Sequence, residues 1–142
     1  MTRAWKSLIT QPLAILALTA TSIALWAAWL GWDQHRDVHP DGSTTGPYEP
    51  WQVIGLVLTL LVPVCWAAYH RHFLAAILGT PIGLAIASFY DWSDDDSGLF
   101  VIGVGLVVAG SLVVCLLVTA LIGSMFGAEG DAEREARGAG HR

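Results

Sequence analysis

Four stretches of this chain contain no Asp, Glu, Lys or Arg: residues 8–30, 51–69, 73–90 and 99–126. They hold 23, 19, 18 and 28 residues, so 88 of the 142 lie where no charged side chain meets water. An uncharged run of about 18 or more residues reads as a helix that crosses a bilayer. At 1.5 Å per residue the four are roughly 35, 28, 27 and 42 Å long, against a hydrocarbon layer of about 30 Å. Each is long enough to span, and the last has length left over to tilt or to project into water. A soluble domain is about a quarter charged, and this chain is 13% charged. These features exclude a soluble globular enzyme, a disordered chain and a disulfide-rich secreted domain. The predicted fold class is all-α: an integral membrane four-helix bundle over residues 1–127, with an outer loop at 31–50 and a flexible tail at 128–142.

The charges themselves orient the bundle. Arg3 and Lys6 precede the first span, Arg71 separates the second from the third, and Arg134, Arg137 and Arg142 follow the fourth. The other two connections carry Arg36 alone against Asp33, Asp37, Asp41, Glu49, Asp91, Asp94, Asp95 and Asp96. Six of the seven basic residues therefore share one side, which the positive-inside bias makes cytoplasmic. Both termini are predicted cytoplasmic, in a multi-pass protein of the plasma membrane. The outer face carries a net charge near −7, which repels nucleic acid and attracts cations or basic surfaces. Residues 1–6 resemble the basic start of a signal peptide, but the 23 uncharged residues that follow exceed the usual ~7–15, so a retained span is expected. Aromatic residues cluster at the predicted ends, Trp26, Trp29, Trp32, Tyr48, Trp51 and Trp92 outside and Trp5, Trp66, Tyr69 and Phe126 inside, as interfacial belts do.

In lipid, helices associate through small residues that let backbones approach. Each span carries such a row at intervals of four: Ala20, Ala24 and Ala28; Gly55, Thr59, Pro63 and Ala67; Ala75, Gly79, Gly83 and Ala87; Ser111, Cys115, Thr119 and Gly123. Gly55, Gly79, Gly83, Ser111 and Gly123 are the expected helix-packing positions. The link of His70, Arg71 and His72 is so short that the second and third spans must be antiparallel neighbours. Pro63 and Pro81 fall near mid-membrane and predict packing kinks, with the Thr59 and Thr80 hydroxyls placed to satisfy freed backbone groups.

Candidate chemistry is sparse. Asp33, His35, Asp37, His39 and Asp41 alternate; as extended chain they share one face, and as helix His35 and His39 lie one turn apart. Imidazole plus carboxylate suits Zn²⁺ or Cu²⁺, which makes His35, His39, Asp33 and Asp37 the candidate metal ligands, with a solvated polar loop as the plainer reading. Asp91, Asp94, Asp95 and Asp96 offer a second place for a weakly held divalent cation beside that loop. Cys65 and Cys115 are isolated in separate spans, without the Cys-x-x-Cys pair of a thiol oxidoreductase. No span holds an ionisable group of the kind that carries coupling charge in transporters. No nucleophile–base pair or phosphate-cradling glycine loop is present, so no enzyme activity and no cofactor are expected.

The string Gly46-Pro47-Tyr48-Glu49-Pro50-Trp51-Gln52-Val53 enters the second span, and Gly98-Leu99-Phe100 opens the fourth. With the Trp-rich outer ends and an Arg-, Ala- and Gly-rich composition, these make residues 5–126 resemble uncharacterised small four-helix membrane proteins of high-GC Gram-positive bacteria. The resemblance implies a fold and supplies no catalytic or binding residues. The function expected is that of a non-enzymatic accessory or scaffold subunit, packed against itself or a membrane-protein partner. The competing expectation is a passive, cation-selective channel lined by Thr59, Thr80, Ser111 and Thr119, and behind it stands metal or envelope sensing through the His/Asp loop.

Overall fold

The computed structural model describes residues 3–33 and 35–141; Arg142, counted above among the inner bases, lies outside them. The chain is mostly helical: α1 (Arg3–Trp29), α2 (Pro50–Tyr69), α3 (Thr80–Trp92) and α4 (Phe100–Ala139). Two-residue strands, β1 (Asp37–Val38) and β2 (Thr44–Thr45), pair antiparallel in the outer loop. This hairpin is the departure from an all-α chain. Gly42, at φ 83°, supplies the left-handed residue its turn requires. The Asp41 carboxylate holds the same turn by accepting the Ser43 N–H at 3.0 Å and the Ser43 hydroxyl at 2.6 Å, and these bonds hold its carboxyl below the usual range.

By length and composition α1, α2 and α4 can each cross a membrane. The third uncharged stretch is helical from 73 to 92 but is interrupted by a π turn at Ala75–Gly79, which leaves α3 with 13 residues. The interruption sits just before Pro81, whose missing N–H breaks the regular ladder. Here the expected rescue takes another form. The Thr19 hydroxyl of α1 lies 3.2 Å from the Gly79 carbonyl, while Thr80 makes no bond to the backbone. At Pro63 the orphaned carbonyl is that of Thr59, and the Thr59 hydroxyl turns away from it to the Gly55 and Leu56 carbonyls at 2.8 and 3.0 Å.

The π turn packs against α1, α2 and α4, α3 packs against α1 and α4, and α2 also meets α1 and α4. The α1–α3 contact is the closest. A Cβ added to Gly83 would come within 2.6 Å of the Thr19 carbonyl oxygen and 2.7 Å of Ser22 Cβ. One added to Gly79 would meet Leu18 Cβ at 2.8 Å. Gly55 serves α1 as well, since its missing side chain makes room for the Trp29 ring at 2.5 Å. Ser111 is half-buried, its hydroxyl donating to the Val108 carbonyl, and Gly123 has only Phe73 at 4.0 Å. Neither is a close approach.

Three of the four small-residue rows face inward or flank the core, but the first does not. Ala20, Ala24 and Ala28 are exposed, and α1 buries Leu18, Ser22, Trp26 and Leu30 instead. Across this face Gly79 takes Leu18, and Gly83 takes the Thr19 backbone and Ser22. The buried residues form two groups. One centres on Leu18, Val64, Ala75, Ala76 and Cys115; the other, toward the outer end, centres on Trp26, Leu30, Leu56, Leu60 and Leu84.

The connection between α2 and α3 turns on Arg71, which adopts φ 61° and lets the His72 N–H reach the Ala67 carbonyl at 2.8 Å. Its guanidinium lies 5.2 Å from the centre of the Phe126 ring on α4, a cation–π contact that ties the link to the neighbouring helix. At the far end, residues 128–139, expected within a flexible tail, continue α4 as a fully exposed helix to Ala139. Glu, Arg and Ala at nine of these twelve positions favour the helix that a lack of core does not forbid.

Candidate functional site

The richest polar constellation lies where the outer ends of α1 and α3 meet the chain entering α2. Tyr48 is held there by Pro47 and by the start of α2, where the Glu49 N–H donates to Gln52 Oε1 at 2.5 Å in the manner of a capping box. Gln52 is fully buried, and its amide nitrogen reaches Asp33 Oδ2 at 3.2 Å and the Trp29 carbonyl at 3.4 Å. One glutamine thus binds the end of α1 to the start of α2. Trp29 adds a second tie through its indole N–H, which donates to the Thr59 hydroxyl at 3.1 Å.

Tyr48 itself sits between two tryptophans and an acid. Its hydroxyl donates to Asp91 Oδ2 and accepts the Trp92 indole N–H at 3.0 Å. The Trp26 indole N–H donates to the same Asp91 oxygen at 3.1 Å. The rings of Trp26 and Trp92 meet edge to face at 5.6 Å, and those of Trp26 and Tyr48 at 6.2 Å. Burial, and then the hydrogen bond to Asp91, pushes the Tyr48 phenol above its ordinary value of 10.0. A phenol that stays protonated remains a donor, so the network keeps its polarity across the physiological range.

Two hollows open on either side of this network. Below it, a cleft of about 290 Å³ runs between α2 and α4, walled almost wholly by hydrocarbon from Trp26, Leu30, Leu56, Leu60, Leu84, Val107 and Val114. Its inner end reaches Thr80 and Cys115. Above it, a shallow vestibule of about 350 Å³ is lined by Arg36, Pro47, Asp91, Asp94, Asp95 and Phe100. Tyr48 and Trp92 belong to both walls. Arg36 reaches toward Asp95 at 3.9 Å, a loose surface pair. The carboxyl of Asp95 is lowered chiefly by the Ser97 hydroxyl and N–H that it accepts.

The candidate metal ligands go separate ways. Asp33 turns to Gln52, Asp37 lies in β1, His39 Nε2 is 3.1 Å from the Thr45 hydroxyl, and His35 is exposed. Among the described residues no three His, Cys, Asp or Glu side chains gather as a metal would require. The physical reason is that α1 ends at Trp29 and β1 covers only Asp37–Val38, so neither a continued helix nor a long extended face exists to align them. Nor do Asp91, Asp94, Asp95 and Asp96 close into a cation cage, since Asp91 is engaged by Tyr48 and Trp26 and Asp95 by Ser97.

Trp26 and Tyr48, expected as interfacial belt residues, are parts of the core and of its polar joint. The Trp-x-x-Trp-x-x-Trp spacing of Trp26, Trp29 and Trp32 carried a signal of this, since Trp32 alone of the three is exposed. At the inner end, His72 Nδ1 and the Gln11 side-chain oxygen are buried without hydrogen-bond partners. The two cysteines are free. Comparison of the chain with protein-family models, with curated proteins and with solved structures finds no match.

Proposed function

We propose that the protein is a four-span plasma-membrane protein, both termini cytoplasmic, that acts as a non-enzymatic accessory or scaffold subunit. The charge asymmetry supports the orientation, and the 73–92 helix supplies the fourth crossing. The resemblance to small four-helix membrane proteins of high-GC Gram-positive bacteria is the support for a bacterial membrane.

The observation that carries the scaffold reading is the outward face of α1, where Ala17, Ala20, Ala24, Ala27 and Ala28 are all exposed. A helix that ends its contacts at lipid has no use for a flat alanine surface, whereas a partner helix can approach it closely. The partner is a second copy of the chain or another membrane protein. The paired substitution Ala20→Leu and Ala24→Leu tests this. In mild detergent, the wild type should migrate as a homo-oligomer or with a stoichiometric partner, and the variant should lose that association while its helical circular dichroism is unchanged. A wild type that is monomeric and partnerless in native membranes, by crosslinking, removes the scaffold reading. The channel reading finds less support. Thr59, Ser111 and Thr119 spend their hydroxyls on carbonyls of their own helices, and Thr80 opens into hydrocarbon. Ion flux through liposomes holding the purified protein would reverse this ranking.

A further inference from the structure

We infer that the α2–α4 cleft and the vestibule above it form one binding site for a single-chain amphiphile with a cationic amine head. The two hollows lie back to back across Tyr48 and Trp92, which line both, so a chain held in the cleft would bring its head beside these rings to the edge of the vestibule. From Trp92 down to Thr80 the cleft follows twelve residues of helix, a depth of roughly 18 Å. At about 290 Å³ over that depth, it is narrow enough for one alkyl chain.

Its mouth selects the head. Three carboxylates, Asp91, Asp94 and Asp95, face one guanidinium, Arg36. That balance repels a phosphate or sulfate and attracts a protonated or quaternary amine. The Tyr48, Trp92 and Phe100 rings at the same level offer the faces on which ammonium groups rest. The floor is also unlike plain hydrocarbon. Thr80 is 3% exposed, lines the cleft beside Cys115, and its hydroxyl has no hydrogen-bond partner among the described residues. A chain of dodecyl to tetradecyl length reaches this hydroxyl, and a polar atom at the chain end would satisfy it.

The test titrates the full-length protein, in neutral maltoside micelles, with dodecyltrimethylammonium and follows tryptophan fluorescence. Saturable binding is expected, at least about tenfold tighter than for dodecanol, which lacks the charge, or tetramethylammonium, which lacks the chain. Asp94→Asn, at an exposed position, should shrink the advantage over dodecanol severalfold. Gly110→Leu should abolish binding of both chains, because Gly110 lines the cleft and has open space where its side chain would grow. Val57→Phe fills the same cleft from α2 and guards against a misfolded Gly110 variant. An ω-hydroxyl on the probe should be accepted without loss by the wild type and should weaken binding severalfold in Thr80→Val. Equal affinity for the ammonium and for dodecanol overturns the proposal, as does binding that survives both cleft-filling variants. Equal affinity for dodecylphosphocholine also overturns it, by assigning the cleft to ordinary lipid.

Discussion

Tyr48 concentrates in one hydroxyl the closure of the outer end of the molecule. In Tyr48→Phe the ring stays, but Asp91 loses a donor and the Trp92 indole N–H loses its acceptor. Leaving such half-buried groups unpaired costs about 1–3 kcal/mol, which unfolding in a denaturing detergent should detect. The phenol also sets a pH dependence. Because its pKa is raised in the fold, its contribution to stability is complete below pH 10.0 and is lost as the pH climbs from there toward the raised value. Ultraviolet difference titration should therefore show a late phenol titration that is missing in Tyr48→Phe. The sequence marks Tyr48 as an interfacial anchor between two prolines, and that much of its role is legible. Its bonds to Asp91 and Trp92 are not, because the partners lie 43 and 44 residues away and only the fold brings the start of α2 to the end of α3. Asp33 and His39 teach the converse. Their spacing is regular, yet Asp33 lies past the end of α1 and His39 past a strand of two residues, and spacing has meaning only inside a regular element.

Between elements, the small-residue rows separate contact from mere composition. Gly83→Ala should push α1 and α3 apart and destabilise the bundle by about 1–3 kcal/mol, since neither the Thr19 backbone nor Ser22 Cβ can yield freely. Gly123→Ala meets nothing nearer than Phe73 at 4.0 Å. It should be neutral, or stabilising by up to about 1 kcal/mol through the better helix propensity of alanine. Both glycines stand in rows with the same spacing, so the sequence alone cannot rank them. The rank comes from which helix faces which. For α1 the pattern even inverts, because Leu18, Ser22, Trp26 and Leu30 recur at the same interval as Ala20, Ala24 and Ala28, two positions out of phase. Two equally periodic stripes on opposite faces leave the inward one undetermined until Gly79 and Gly83 are seen to take Leu18, Ser22 and the Thr19 backbone. The π turn escaped the sequence for a related reason. Pro81 announces a break in the helix but not whether a kink or a widened turn absorbs it.

As a whole, the molecule repeats what its charge distribution announces: long apolar helices separated by short polar connections. The uncharged stretches anticipate α1, α2 and α4 to within a few residues at most of their boundaries, because a run without charge is a direct statement about solvent. The exception is the inner boundary of α4, where the uncharged run stops at 126 and the helix does not. The orientation makes its own prediction. A cysteine placed at Ser43, in the exposed hairpin turn, should react with an impermeant maleimide in intact cells, and reaction only after permeabilisation would invert the molecule.

The exposed continuation of α4 to Ala139 carries a consequence of a different kind. A free peptide of this length and composition, with Gly130 and Gly138 in it, would not hold a helix, because starting one costs more than so few turns return. Joined to α4, it inherits a nucleus already formed inside the bundle. A synthetic peptide of residues 127–142 should therefore show the circular dichroism of coil, although residues 127–139 are helical in the full chain. The last turns then act as a stiff spar standing roughly 18 Å off the end of the uncharged segment. In the membrane orientation proposed above, Glu133, Arg134 and Arg137 stand at a set height over the bilayer surface, instead of being swept through the volume that a loose tether explores.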